Sequence, residues 1–502
     1  MPTTTDAETA TDLSQASATL PEPSPVGAPV PGAPGAGAPE VQPTRVQKVL
    51  RLALRMGDIL LAAGMPAHDV VVLMLRIAES YGIGRVHFDI TYTAMMTSYY
   101  PPHDGIPITE IRVVRAAATD FSRAQAIERL AGEIRAGLPL DEASAACKRI
   151  REAPSPYPWW AATAGKAGVA AAVSLLFSAS WKLPLLTFAI GILVDRVLAA
   201  LRNRRFPPFF SQLIAAGLIT LIAALVSNAL NHGVYLFVGV RPSLVVVSGI
   251  IMLVAGMRAV GAAQDAIDEF YLTALARGFQ AAMHTAGIVV GIVIALYLSR
   301  ALNFPIAILP NPDTVASLPR QFIAVALTSA LFALSCYASP GTIALSGAMG
   351  FIGYAGYILA MAAVPAGAGA AGAGAAGAGA PEVLASTAGA TLTAWVATLI
   401  IRRANVTGAF AAPGFALINA ALIPLVPGLT LFKGLFQMVG AAPGTGDLME
   451  GALIVFQAAG VALGIAAGAS LGAYFGRPMA DRLRRIRETA LGQLGGRGRI
   501  RK

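Results

Sequence analysis

Charge is scarce in this chain, and it is unevenly placed. Only 13% of the 502 residues are charged, 56% are hydrophobic, and the mean hydropathy is +0.65. A soluble globular protein carries about a quarter charged residues. Between residues 159 and 476 long apolar runs are broken by short polar patches, whereas residues 45–153 have a soluble composition. These features exclude an ordinary soluble protein and indicate a polytopic α-helical membrane protein.

Cysteines and targeting features are also few. The two cysteines, Cys147 and Cys336, lie in different regions, which argues against a disulfide framework and a thiolate metal site. Residues 1–44 lack a basic end followed by an apolar core, so we predict a disordered tail and no signal peptide. The net charge of +10 comes largely from arginine clusters beside apolar runs, which does not indicate nucleic-acid binding.

Residues 45–153 have the pattern of a small cytoplasmic α/β domain. Apolar residues recur at helical spacing in four stretches, and a segment rich in β-branched and aromatic residues lies between them. The predicted elements are helices at 45–63, 66–82, 120–136 and 140–151, and strands at 86–100 and 106–114.

About ten membrane spans are predicted after the proline-rich linker 154–158. A hydrocarbon core about 30 Å thick requires about 20 apolar residues in each helix. An Ala/Gly tract at 366–380 is predicted to be a flexible loop. The predicted spans are 161–181, 183–201, 209–230, 243–262, 281–299, 321–338, 342–363, 382–401, 405–424 and 452–475.

Arginine clusters indicate the orientation of these spans. The cluster at 202–205 follows two predicted spans, Arg402-Arg403 follows eight, and the basic tail 477–502 follows ten. All three numbers are even, so the clusters lie on the same side as residues 45–153. Positively charged loops face the cytoplasm, and we therefore expect both termini there.

The two halves of the membrane region resemble each other. Leu253–Met257 (LVAGM) recurs as Leu425–Leu429 (LVPGL), and the Asp265/Asp268 pair is matched by Asp447 and Glu450. We therefore predict two five-helix repeats, at 154–300 and 301–476. An odd number of helices inserts the second repeat upside down, as in many secondary transporters that bind their substrate between repeats.

Six stretches form a collinear signature: GDILLAAG at 57–64, residues 70–82, HFDITYT at 87–93, residues 112–160, GAAQDA at 261–266 and IPLVPG at 423–428. In this order they resemble the threonine/serine exporter family. The resemblance implies a bacterial cell-membrane transporter that exports threonine and serine and is driven by the proton gradient. The implied partners are these amino acids, protons and the lipid bilayer, with no cofactor and no metal, and a homo-oligomer is left open.

Ionisable residues inside spans are costly, so each is a candidate for transport. Asp265 and Asp268 can accept a proton or the substrate ammonium group, and the alternative is a solvated helix N-terminus. Arg258 can bind a carboxylate through its planar guanidinium group or can extend to the headgroups. An unperturbed histidine titrates near physiological pH, which makes His284 a candidate, and the alternative is an interfacial or interhelical hydrogen-bonding histidine.

Four further candidates have weaker chemical signals. Asp195 lies in the cytoplasmic third of the second span, where the alternative is an ion pair with its neighbour Arg196. Gly256 and the Pro427-Gly428 pair can break a span and free backbone groups for a substrate. The alternative for these residues is a kink or close helix packing.

Two other functions remain open. Residues 45–153 contain three His/Asp couples from which a hydrolase or metal site can be built, although no HExxH spacing occurs. A nutrient sensor is the second alternative. The absence of a GxxxxGK[ST] sequence argues against ATP as the driving force. The three couples are His68-Asp69, His87 with Asp89, and His103-Asp104.

Overall fold

The computed structural model describes residues 44–101, 106–114, 119–177, 180–234, 237–253, 256–304, 316–363, 380–407, 414–439 and 447–497. The predicted disordered tail lies outside these residues except for Thr44. The predicted Ala/Gly loop also lies outside them except for its last residue, Ala380.

The four helices predicted between residues 45 and 153 are present. They are α1 (Arg45–Ala62), α2 (Ala67–Ser80), α3 (Phe121–Arg135) and α4 (Leu140–Glu152). Buried apolar residues of all four helices form a common core, to which Leu60, Met74, Ile127 and Cys147 contribute.

The prediction of one long strand at 86–100 was wrong, because this segment is a hairpin. Strands β1 (Val86–Thr91) and β2 (Ala94–Tyr99) pair antiparallel, and β3 (Ile108–Val113) pairs with β2. The turn between β1 and β2 places Tyr92 at a φ of 54°, a conformation usually adopted by glycine or asparagine. The sequence therefore gives no turn residue at the position where the chain reverses.

Helices α5 to α16 follow in two series of similar order. The first series is α5 (Trp159–Ser174), α6 (Lys182–Asn203), α7 (Pro208–Asn231), α8 (Pro242–Leu253), α9 (Gly256–Ile267) and α10 (Tyr271–Ala301). The second series is α11 (Leu318–Ser335), α12 (Pro340–Ala363), α13 (Ala380–Thr407), α14 (Gly414–Leu422), α15 (Gly428–Val439) and α16 (Leu448–Arg497).

Among the described residues, seven helices are long and apolar enough to cross a membrane. Two bent helix pairs raise the number to nine if each pair is one span. The first predicted span is the 16-residue helix α5, whose length of about 24 Å is shorter than a hydrocarbon core of about 30 Å. The chain is therefore a polytopic helical membrane protein.

Both bends fall at the glycine and proline positions singled out in the sequence. Helices α8 and α9 meet at 43°, with α9 beginning at Gly256. The second pair meets at 46° between Gly414–Leu425, which ends in a 3-10 turn, and the helix that begins at Gly428. Pro427 lies between these two helices and cannot supply a backbone donor to continue the first one.

The ninth span was predicted at the wrong place. Residues 405–407 are the end of α13, and the next helical pair runs from Gly414 to Met438. The error arises because the segment 428–439 contains Lys433 and follows a proline, a pattern that favours a loop. Phe432 and Phe436 of this segment are buried, so α15 belongs to the hydrophobic core formed by the membrane helices.

Candidate functional site

Asp265 is fully buried at the end of α9 and binds the start of α2. Its Oδ1 accepts a hydrogen bond from the backbone N–H of Ala67 at 2.9 Å, and its Oδ2 lies 2.6 Å from Nη1 of Arg277 in α10. Ala67 is the first residue of α2, whose N-terminus carries unsatisfied N–H groups and a partial positive charge. The carboxylate therefore caps a helix that lies 198 residues earlier in the chain.

Three further hydrogen bonds join the same two parts of the molecule. Arg277 donates from Nη2 to the carbonyl of Met65 at 3.2 Å. The Thr273 hydroxyl donates to the carbonyl of Ile90 at 3.1 Å and accepts from the N–H of Tyr92 at 3.0 Å. Together with Asp265 these bonds attach α2 and the β1–β2 turn to the α9–α10 junction.

Arg258 and His284 form a direct pair between α9 and α10. Nη1 of Arg258 lies 2.5 Å from Nδ1 of His284. A guanidinium group has donors and no acceptor, so Nδ1 of the imidazole must accept and the ring must be neutral. His284 is buried, whereas Arg258 is exposed on the wall of a small cavity.

A small cavity of about 220 Å³ lies between the β1–β2 turn and the membrane helices. Arg258 and Arg277 supply positive charge to its wall, and Gln264, Gln280 and Asn419 supply amide groups. This combination can bind a carboxylate and a hydroxyl group, because guanidinium and amide groups donate hydrogen bonds to both.

A large cavity of about 970 Å³ lies between α2 and α3 on one side and α9, α14 and α16 on the other. Gln264, Phe415 and Asn419 line both this cavity and the small one, so the two are adjacent. The acidic residues on the wall of the large cavity are Asp69, Glu128 and Asp268, and the basic ones are His68, Arg76, Arg129 and Arg135.

Loss of hydration changes the acidity of the carboxyl groups that line the large cavity. Burial, and then the nearby charge of Asp69, raise the pKa of Glu128 to about 7, although the backbone N–H of Gly414 donates to its carboxylate. Burial also raises the pKa of Asp268, and the charge of His68 opposes this shift. These carboxyl groups are therefore held in a site that favours an added positive charge.

Asp195 lies in a different cluster and lines neither cavity. Its carboxylate accepts hydrogen bonds from Nζ of Lys166 at 2.9 Å, Nη2 of Arg196 at 2.6 Å and the Thr163 hydroxyl at 2.7 Å. The Arg196 guanidinium group also lies 4.5 Å from the ring centre of Trp159. These contacts fasten the start of α5 to the end of α6, and they satisfy the buried carboxylate.

The predicted candidates therefore fall into three places. Arg258, Asp265, Asp268 and His284 come together around the α9–α10 junction, with Asp268 on the large cavity and Arg258 on the small one. Gly256 and Pro427-Gly428 lie at the two bends and are absent from both cavity walls as described. Asp195 lies in the α5–α6 cluster, away from both cavities.

The sequence did not single out Glu128, Arg277 or Thr273. Glu128 follows Ala124 by four residues and precedes Ala131 by three, so helical spacing places it on the face of α3 that carries these buried alanines. That spacing was a usable signal. Arg277 and Thr273 gave none, because their partners belong to a distant part of the chain.

The His/Asp couples do not form a metal site in the part of the chain that the structure describes, where no cluster of three or more metal-ligating residues occurs. The His68 ring contacts Phe270 edge-on at 6.4 Å, and the His87 ring contacts Tyr100 at 5.7 Å. The third couple, at 103–104, lies outside the described residues.

Comparison with known proteins gives the family. A family model described as threonine/serine exporter matches residues 51–299. The chain is 33% identical over 442 residues to a protein of Mycobacterium tuberculosis named "Probable threonine/serine exporter", covering 86% of this chain and 77% of that protein. It is 28% identical over 450 residues to the "Threonine/serine exporter" of Corynebacterium glutamicum, covering 88% and 84%. No solved structure matches significantly. The chain belongs to the threonine/serine exporter family, which is a family of transporters and not of enzymes.

Proposed function

We propose that this protein exports threonine and serine from the cytoplasm in exchange for protons. The observation that carries the proposal is the likeness to two proteins named as threonine/serine exporters along more than four-fifths of the chain. The cavities beside the α9–α10 junction support it, because their walls combine carboxylate, guanidinium and amide groups. These groups match the ammonium, carboxylate and hydroxyl groups of the two amino acids.

Both termini are cytoplasmic in this proposal. Ten spans with α5 as the first would alternate in direction across the membrane. The helix ends on the cytoplasmic side would then be the end of α9, the starts of α10 and α14, and the ends of α11 and α16. Residues 44–153 contact four of these helix ends, for instance through the Phe121 N–H, which donates to the Cys336 carbonyl at 2.8 Å. The large cavity also reaches Tyr474 of α16.

The membrane region consists of two inverted five-helix repeats, 154–300 and 301–476. Matching helix contacts support this arrangement. The first helix packs on the second and the third on the fifth in each series, as α5 on α6 and α7 on α10, then α11 on α12 and α13 on α16. The bent pair is the fourth element in both series. The second helix of each bent pair packs against the other series. Val260 of α9 belongs to the core of the second series, and Phe432 of α15 belongs to the core of the first.

Two glycines provide a residue-level match between the repeats. Gly291 lies 20 residues after the first residue of α10 (271 to 291), and Gly468 lies 20 after the first of α16 (448 to 468). A Cβ atom on Gly291 would lie 2.9 Å from the backbone carbon of Leu213 in α7. A Cβ atom on Gly468 would lie 3.0 Å from Oγ1 of Thr391 in α13. The absence of a Cβ atom at both glycines therefore allows the third and fifth helices of each series to approach closely.

The Arg258–His284 pair is the proposed point of proton coupling. Neutral His284 holds one nitrogen of Arg258 and leaves the other donors of the guanidinium group for a substrate carboxylate. A proton that binds Nδ1 removes the acceptor and brings two cations into contact. Arg258 then leaves its position and the carboxylate is released. Binding of the proton and binding of the substrate therefore exclude each other, as an exchanger requires. Arg277 is the other charged side chain on the wall of the small cavity.

The test is efflux of preloaded labelled threonine and serine from cells with and without the protein. We expect protein-dependent efflux that falls when a protonophore collapses the gradient. His284→Gln retains a hydrogen-bond acceptor and cannot be protonated, so it should keep threonine exchange while losing the acceleration by the proton gradient. Absence of protein-dependent efflux of either amino acid would refute the export function, and a gradient-driven His284→Gln variant would refute the coupling role.

A further inference from the structure

The large cavity has the size and the chemistry of a binding site. Its volume of about 970 Å³ falls in the range of ligand pockets, which hold about 300 to 1,000 Å³. Its acidic residues come from three separate segments, with Asp69 on α2, Glu128 on α3 and Asp268 after α9. The wall is therefore assembled from the N-terminal elements and the membrane helices together.

The acidic side chains of this wall suit a ligand with an ammonium group. Glu128 is half-buried and lies close enough to Asp69 for the second charge to disfavour its ionisation. A ligand cation near both carboxylates would remove this repulsion and would replace part of the lost hydration. The exposed side chains of Arg76 and Arg129 on the same wall can bind the carboxylate of the same ligand.

The large cavity adjoins the small one. Gln264, Phe415 and Asn419 line both, so these three residues form the partition between the large cavity and Arg258. A ligand that crosses this partition from the large cavity would reach Arg258 next. This order places the large cavity before the proposed point of proton coupling on the way out of the cell.

We propose that the large cavity is the cytoplasmic loading site for a free α-amino acid, with Glu128, beside Asp69, binding its ammonium group and Asp268 adding negative charge to the same wall. The inference rests on the proposed export function and adds to it a first binding site that the N-terminal elements help to form. The N-terminal elements thus take part in transport directly.

The first experiment measures binding of labelled threonine to the purified full-length protein and the KM of its efflux. Glu128→Gln and Asp268→Asn should each weaken binding at least about tenfold and raise the KM, because each removes a carboxyl group that can carry negative charge from the cavity wall. Glu133→Gln is the matched control, since Glu133 is exposed on the same helix and does not line the cavity. Glu128→Asp should restore part of the affinity.

A second experiment does not depend on the folding of the acidic variants. Ser470 lines the large cavity, and the two native cysteines are buried, so Ser470→Cys provides an accessible thiol of nearly the same size. Threonine at saturating concentration should slow the reaction of this thiol with a water-soluble maleimide by about tenfold. Glycerol at the same concentration is the control and should leave the rate unchanged.

The outcomes separate this inference from the proposed function. If the wild type exports threonine while Glu128→Gln and Asp268→Asn bind it normally, or while threonine leaves Ser470→Cys unprotected, the loading site is wrong and export stands. If the wild type neither binds nor exports threonine or serine, the export function itself fails. The loading role is also wrong if threonine protects Ser470→Cys from the maleimide while Asp268→Asn leaves the KM of efflux unchanged.

Discussion

Two buried aspartates in the membrane region illustrate two uses of the same chemistry. Asp195 is held by Lys166, Arg196 and Thr163, all within the α5–α6 hairpin, and it lies away from both cavities. Asp265 is held by Arg277 and by the N–H of Ala67, so it joins the α9–α10 junction to α2 beside the cavities. A carboxylate inside a span is therefore a reason to look for a site, and its partners decide whether one exists.

The largest effect is expected at Asp265. Asp265→Asn leaves Arg277 buried without its counter-ion, which costs about 3 to 5 kcal/mol of stability, and it weakens the attachment of α2. Threonine efflux per molecule should fall more than tenfold. Thermal unfolding of the detergent-solubilised protein and efflux at matched surface expression measure the two effects.

The double variant Asp265→Asn with Arg277→Gln distinguishes attachment from proton transfer. It removes the uncompensated charge, while the amide oxygen of the substituted side chain can still accept from the N–H of Ala67. Stability and efflux should therefore recover partly if Asp265 serves attachment. Recovery of stability with efflux still absent would instead assign Asp265 a direct role in transport.

A smaller effect is expected at Asp195. Asp195→Asn removes the counter-charge of Lys166 and Arg196, but their side chains are 37% and 39% exposed and remain partly solvated. The variant should lose about 1 to 3 kcal/mol and retain near-normal efflux per folded molecule. A variant that folds as well as wild type and transports nothing would break the contrast with Asp265.

The smallest effect concerns Glu128, a carboxyl group whose pKa is about 7 instead of the ordinary 4.5. Between these values the folded state binds more protons than the unfolded state, so the contribution to stability is present below about pH 4.5 and is lost as the pH rises through 7. Glu128→Gln should therefore be closest to wild type at pH 5 and exceed it by about 1 to 2 kcal/mol at pH 8.

Asp69 and Asp268 are present in both proteins that are compared, so the difference in stability reports the substitution at position 128 alone. Thermal unfolding at the two pH values, with Glu133→Gln as the exposed control, measures it. A Glu128→Gln variant that is less stable than wild type at pH 8 would contradict the pKa shift.

Local signals were sufficient for the helices of the N-terminal part. Helix α1 ends shortly before Gly64, and α2 begins after Pro66 and ends shortly before Gly82. Glycine and proline commonly end or begin helices at such positions. The same reasoning found the bends at Gly256 and Pro427, although it placed the second bent pair too early in the chain. It failed at the β1–β2 turn, because Tyr92 adopts a positive φ without a glycine.

The site was predictable only in part, because its contacts join distant segments. Apolar context singled out Arg258, Asp265, Asp268 and His284, which the structure brings to one junction. The sequence contains no feature that pairs Asp265 with Ala67, since a helix cap of this kind depends on how α2 packs against α9. The three acidic residues of the large cavity were unpredictable for the same reason, because they belong to three separate segments.

The cap of α2 has a consequence for the synthesis of the protein. Ala67 leaves the ribosome 198 residues before Asp265 does, which corresponds to about 10 to 40 s at ordinary rates of translation. During this time the first turn of α2 lacks its carboxylate partner. The contacts of α2 with Asp265 and of Met65 with Arg277 can therefore form only after α9 and α10 have been synthesised.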